Sequence, residues 1–168
     1  MVCRVLITGS DPQQLITVPR PTVLDDYLHM IRTYVKRVPS IILSNPSLPT
    51  IFDLCLVSLT LPSSGAVMNA LEAIMEFFDA GTQPGSAYVE TITGAAKTYG
   101  ERIVTIAING MVQEYIEETQ DVIIDIVKEL VKLCPGEARG WTLSAVQGLP
   151  GHVAPTADKT DFFANFEK

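Results

Sequence analysis

The sequence predicts an all-α fold of antiparallel helical hairpins stacked side by side. Three observations predict it. Apolar residues recur at three- and four-residue steps along most of the chain, alternating strand patterns are scarce, and short Pro- and Gly-marked links separate one amphipathic stretch from the next. The chain has 168 residues, of which 47% are hydrophobic and 18% charged. That is enough for one domain with a sizeable core, and it excludes intrinsic disorder.

The first helix is expected from Thr22 to Val38. Leu24, Tyr27, Leu28, Ile31, Tyr34, Val35 and Val38 fall on one face, Thr22 with Asp25 opens it, Lys36 and Arg37 suit its negative end, and Pro39 stops it. A second runs from about Ser47 to Thr60, apolar on almost every side with Asp53 as its only charge, so several neighbours must cover it. A third, Ser63 to Asp79, buries Val67, Leu71, Ile74, Met75 and Phe78 while Glu72, Glu76 and Asp79 look outward. Gly81 to Gly85 reads as a loop. Ser86 to Thr98 is a weaker helix because Gly94 lies inside it, and Glu101 to Glu118 is another, its β-branched stretch Arg102 to Ile108 included. Thr119 is placed to cap Gln120 to Cys134, and the Cys134-Pro135-Gly136 break leads to a short helix, Glu137 to Gly148, with the single Trp141. A Pro- and Gly-rich link, Leu149 to Pro155, precedes a last helical stretch bearing Phe162, Phe163 and Phe166. Val2 to Thr8 is the best strand candidate. Helix pairs recurring about every 40 residues match the period of HEAT-type arrays. The expected organisation is a poorly structured N-terminal extension over 1–20, HEAT-like helical repeats over 21–150, and a linker with a short capping helix over 151–168.

Twelve basic against nineteen acidic residues give a net charge of −7. A general nucleic-acid binder would need the opposite balance to displace counterions from phosphates. Cys3, Cys55 and Cys134 form neither a closed disulfide set nor, with His29 and His152, a zinc-ligand spacing, which suits a reducing compartment. The apolar run Val5-Leu6-Ile7 is too short for a secretory signal, and the longest uncharged stretch, Leu54 to Leu71, is broken by Pro62-Ser63-Ser64-Gly65. A soluble intracellular chain is expected.

No constellation of residues carries catalysis. Val5-Leu6-Ile7-Thr8-Gly9 resembles the first strand and turn of a dinucleotide site, but no further glycine follows to let the backbone approach a pyrophosphate. The adjacent carboxylates Asp25-Asp26 and Glu117-Glu118 point in different directions on a helix, unlike an acid–base pair across a cleft. Asp25 and His29, four residues apart, read as a surface pair without a third metal ligand. No nucleophile turn accompanies the serines. Catalytic, cofactor-binding and metal residues are therefore expected to be none. The candidate partner-binding residues are Glu114, Glu117, Glu118, Asp121 and Asp125, a run containing no base, in the half of the chain that holds twelve acids against seven bases. Acidic faces of helical arrays attract basic partners.

From Pro21 onward the order of short motifs resembles the C-terminal part of karyopherin-β nuclear import receptors, the transportin-SR branch with its relative importin-thirteen. The residues are Pro21-Thr22-Val23-Leu24-Asp25-Asp26-Tyr27, Val38-Pro39-Ser40-Ile41-Ile42-Leu43, Leu48-Pro49-Thr50-Ile51, Val57-Ser58-Leu59-Thr60-Leu61, Val67-Met68 and Phe77-Phe78-Asp79. Gly140-Trp141, Gly148-Leu149-Pro150 and Thr160-Asp161-Phe162 follow in the same order. The resemblance spans about Arg20 to Phe166 and rests on order, since none of these motifs is catalytic. It implies the final hairpins of a HEAT solenoid that shuttles between cytoplasm and nucleus and imports Arg/Ser-rich RNA-binding proteins. It also implies that the GTPase Ran engages mainly the family's N-terminal arch, and that the basic helix reading phosphorylated cargo belongs to an earlier repeat, so no residue of either is carried over. Met1 to Pro19 resembles nothing in the family. The alternative expectation is a stand-alone helical scaffold without a transport role.

Overall fold

The computed structural model describes residues 21–113 and 115–160. Seven named helices are present: α1 (Pro21–Arg37), α2 (Pro39–Leu43), α3 (Leu48–Ser58), α4 (Ser64–Thr82), α5 (Val89–Gln113), α6 (Thr119–Leu133) and α7 (Pro135–Gly148). A further helical stretch begins at 156 and reaches the end of the described residues. No strand occurs among the described residues. The expected strand Val2 to Thr8, the 1–20 extension, Cys3 and the C-terminal phenylalanines lie outside them.

Contacts between helices follow an alternating rule. α4 packs on α1 and α6, α5 packs on α3 and α7, and successive helices meet as hairpins, α3 with α4 and α5 with α6. The result is two layers, α1–α4–α6 and α3–α5–α7, stacked as HEAT-like repeats. Within a layer the helices run in the same direction. Arg32 Nη1 meets Glu72 Oε2 at 2.5 Å and Lys36 Nζ meets Glu76 Oε1 at 3.1 Å, so both links join α1 to α4 across a 40-residue separation. Between α5 and α7, Lys97 approaches Glu137 at 3.9 Å, again 40 residues apart in number. Between α3 and α5 the hydroxyl of Tyr99 donates to the carbonyl of Pro49 at 3.2 Å, and Arg102 approaches Asp53 at 3.8 Å. Thr82, at the end of α4, donates to Glu129 of α6 at 2.5 Å. Glu72 and Glu76 thus correct the expectation that they look into solvent: each faces a cation one repeat earlier.

The core lies between the layers. Phe52 is fully buried, with ring centroids 4.9 Å from Phe77, 6.2 Å from Phe78 and 5.0 Å from Tyr99. Leu28, Leu71, Ile74, Ile92, Ile103, Ile126 and Leu130 extend this seam through all three repeats. Cys55 is buried within it, and burial pushes its thiol up to about 12, an unreactive group.

Several boundaries differ from expectation, each for a local reason. Pro39 does not end helical structure; it stands at the first position of α2, where a missing N–H costs nothing. Ser63 caps α4 by accepting from the Ala66 amide at 3.3 Å, and α4 continues to Thr82 because Gly81 is buried against Ile92. The two helices expected over 86–118 are one continuous α5 of 25 residues. Neither Gly94 nor Gly100 breaks it, because packing overrides intrinsic propensity. Gly100 instead makes room for Trp141: a Cβ there would lie 2.4 Å from the indole Cζ3. Thr119 is not a cap. It is the first residue of α6, and its hydroxyl donates to the Ile116 carbonyl at 2.7 Å.

Asp25 also departs from the surface pairing with His29. Its Oδ2 lies close above Gly65 at the start of α4, and its Oδ1 is buried with no hydrogen-bond partner among the described residues. Burial first, then the neighbouring Asp26 charge, raises its pKa above the ordinary carboxylate value. A carboxyl raised in the folded state contributes stability that is full below its unfolded pKa and is lost as pH rises through the folded one. At neutral pH the ionised group is a net cost. Asp25→Asn is therefore expected to raise the melting temperature at pH 7 by about 1–2 °C and to leave it unchanged near pH 3, as thermal melts followed by circular dichroism would measure.

Candidate interaction surface

The acidic run sits where the chain turns from α5 into α6. The turn is fixed by Tyr115, whose amide donates to the Gly110 carbonyl at 2.8 Å and whose hydroxyl donates to the Leu59 carbonyl at 2.6 Å. Its ring lies on Gly110, where a Cβ would come within 2.2 Å of Cζ. The α5–α6 link is thereby pinned to the end of α3. Beside it a cleft of about 530 Å3 opens between the starts of α4 and α6, lined by Leu61, Pro62, Ser63, Val67, Tyr115 and Thr119.

Glu117 and Glu118 lie in the turn and Asp121 and Asp125 on the first half of α6, all four exposed. Glu114 lies outside the described residues. Asp121 belongs to the first turn of α6, where a negative charge suits the helix dipole. Asp125 is not uncompensated: Lys128 Nζ meets its Oδ1 at 2.8 Å from the next turn. That hydrogen bond, then the Asp125 charge with smaller contributions from Asp121 and Glu129, raises the pKa of Lys128, so the cation stays charged. Among the described residues Glu117, Glu118 and Asp121 form no ion pair, and with the paired Asp125 they make up the acidic edge.

Sequence reasoning missed Glu129. It is only 8% exposed, accepts from Thr82 and from Lys132 Nζ at 2.6 Å, and joins α4 to α6. Its place among the apolar positions Ile126 and Leu130 was the available signal. A second concavity, a groove of about 730 Å3, lies where the long α5 overhangs the short α3. Pro46, Leu48, Phe52, Thr91, Gly94 and Tyr99 contribute to its walls. The Tyr99 hydroxyl there is raised by burial and by the Asp53 charge, and it serves as the donor to Pro49. Among the described residues no three His, Cys, Asp or Glu side chains gather as metal ligands, and no helix is long and apolar enough to cross a membrane. No protein-family model matches the chain, and no curated protein compared with it matches either.

Proposed function

We propose that this chain is a non-enzymatic protein-binding module, the C-terminal helical-repeat part of a nuclear import receptor of the karyopherin-β type, with Arg/Ser-rich RNA-binding proteins as cargo. The observation that supports the reading is the stacking of same-direction helices at a 40-residue register, Arg32–Glu72 and Lys36–Glu76 in one layer and Lys97–Glu137 in the other. That register is the period of HEAT arrays, which bind by extended surfaces. Glu117, Glu118, Asp121 and Asp125 supply an acidic edge on such a surface, complementary to guanidinium-rich segments. Ran would engage the receptor through repeats preceding these.

The test is fluorescence anisotropy with a labelled Arg/Ser peptide. Binding is expected to weaken with added salt, and Glu117→Gln, Glu118→Gln, Asp121→Asn and Asp125→Asn together should weaken it about tenfold or more. Affinity that is absent or indifferent to salt overturns the role of this edge. A pull-down from nuclear extract with and without Ran-GTP separates transport from the scaffold alternative. Arg/Ser proteins released by Ran-GTP support transport, and capture that ignores Ran-GTP overturns it.

A further inference from the structure

The cleft between the starts of α4 and α6 joins apolar walls to a negative rim. Leu61, Pro62, Ser64 and Val67 form one wall, and Tyr115 and Ile116, in the turn that leads into α6, form the other. Ile116 is 43% exposed at its mouth, although it is apolar. Both walls are held in place by the fold itself. The Ile116 carbonyl accepts from the Thr119 amide at 3.1 Å and from the Thr119 hydroxyl at 2.7 Å. Tyr115 is tied to Gly110 and Leu59, and Ser63 fixes the opposite wall through the Ala66 amide. At about 530 Å3 the cleft has room for a large side chain and the backbone that carries it.

No Lys or Arg occurs between Arg37 and Lys97, nor between Arg102 and Lys128, so neither segment that builds the cleft contains a base. Glu117 and Glu118 stand exposed between the lining residues Ile116 and Thr119, and Asp121 follows in the first turn of α6. Among the described residues these three acids form no ion pair. Asp25 adds a carboxyl over Gly65, the neighbour of Ser64. The closest cation along the chain, Lys128, is engaged with Asp125. Lys159 belongs to the same end of the molecule, because α7 runs alongside α5, but its ammonium donates to the carbonyls of Gln147 and Leu149. The two helix starts do not invite an anion either: Ser63 caps α4, and Asp121 lies in the first turn of α6.

We propose that the cleft takes one bulky apolar side chain of an extended protein segment whose neighbouring residues are arginine or lysine. The proposal rests on the acidic edge as the cargo-facing surface, and it adds what a plain Arg/Ser repeat lacks. The apolar side chain packs against Ile116, Leu61 and Pro62, while cations before and after it lie against Glu117, Glu118 and Asp121. Charge alone draws in any basic chain and holds it in no fixed register; the apolar anchor selects which stretch of the partner is bound.

Fluorescence anisotropy with two labelled peptides of equal charge tests this on the full 168-residue chain. One peptide is an Arg/Ser repeat and the other is the same repeat with its central serine replaced by leucine. The leucine peptide should bind about tenfold tighter. Ser64 is exposed and lines the cleft, so Ser64→Trp should fill it and abolish that advantage while leaving the salt-sensitive binding of the plain repeat unchanged. Where the circular dichroism melt of this variant departs from wild type, Ile116→Ser, which strips the opposite wall, takes its place. Equal affinities for the two peptides overturn the proposal, as does an advantage that survives both substitutions; salt-sensitive binding of both peptides would then leave the acidic edge standing. Failure of the edge has a different signature: the leucine peptide alone binds, indifferent to salt, which overturns the basic flanks of the occupant. Binding of neither peptide overturns both readings.

Discussion

Replacing Phe52 by alanine should cost about 3–5 kcal/mol of stability, the largest effect expected of any single truncation in this chain. The ring is fully buried and, among the described residues, is the only one that touches Phe77, Phe78 and Tyr99 together. Its loss removes apolar burial and three ring contacts at once, and it leaves a cavity between layers that α3, α4 and α5 cannot all close. Urea denaturation followed by circular dichroism would measure the loss, expected as a lower midpoint with an unchanged slope. The corresponding fall in melting temperature is about 10 °C. A loss below about 1 kcal/mol would mean that the two layers do not share this centre.

Gly100→Ala should destabilise by about 1–3 kcal/mol, against the usual gain from alanine in a helix. The added Cβ would lie 2.4 Å from Cζ3 and 3.0 Å from Cη2 of Trp141, whose rigid indole must shift or push α7 away from α5. The same substitution at Gly94 meets nothing within 4 Å and serves as the control, expected to stabilise slightly. Trp141→Leu should cancel most of the Gly100→Ala penalty in a double-mutant cycle, because the smaller side chain vacates the space. Equal costs in the two backgrounds would show that the α5–α7 contact is not limited by this pair.

The all-α class was legible because a three- and four-residue apolar rhythm survives single exceptions. It placed α1, α3, α4, α6 and α7 within a few residues. α2 was not legible, since five residues are too few for a rhythm and Pro39 carries the same signal whether it ends one helix or starts another. α5 was split in two because a glycine weakens any helix on local grounds. What Gly100 does becomes visible only when α7 brings Trp141 beside it. Glu72 and Glu76 read as solvent-facing because their partners stand 40 residues earlier, beyond any window that a helical pattern spans. The acidic edge was legible as a run without bases, and its exposure at Glu117, Glu118, Asp121 and Asp125 is as expected of charged residues. The pairing of Asp125 with Lys128 lay just past the end of that run.

α4 touches four other helices, α1, α3, α5 and α6, whereas α1 and α7 lie at the margins of their layers. Opening α4 would strip cover from both layers together, so its backbone amides should exchange with deuterium only when the whole chain unfolds. Amides of α1 and α7 can open by local fraying and should exchange sooner. A protein that docks on one margin would then announce its position by slowing exchange there while leaving α4 as it was.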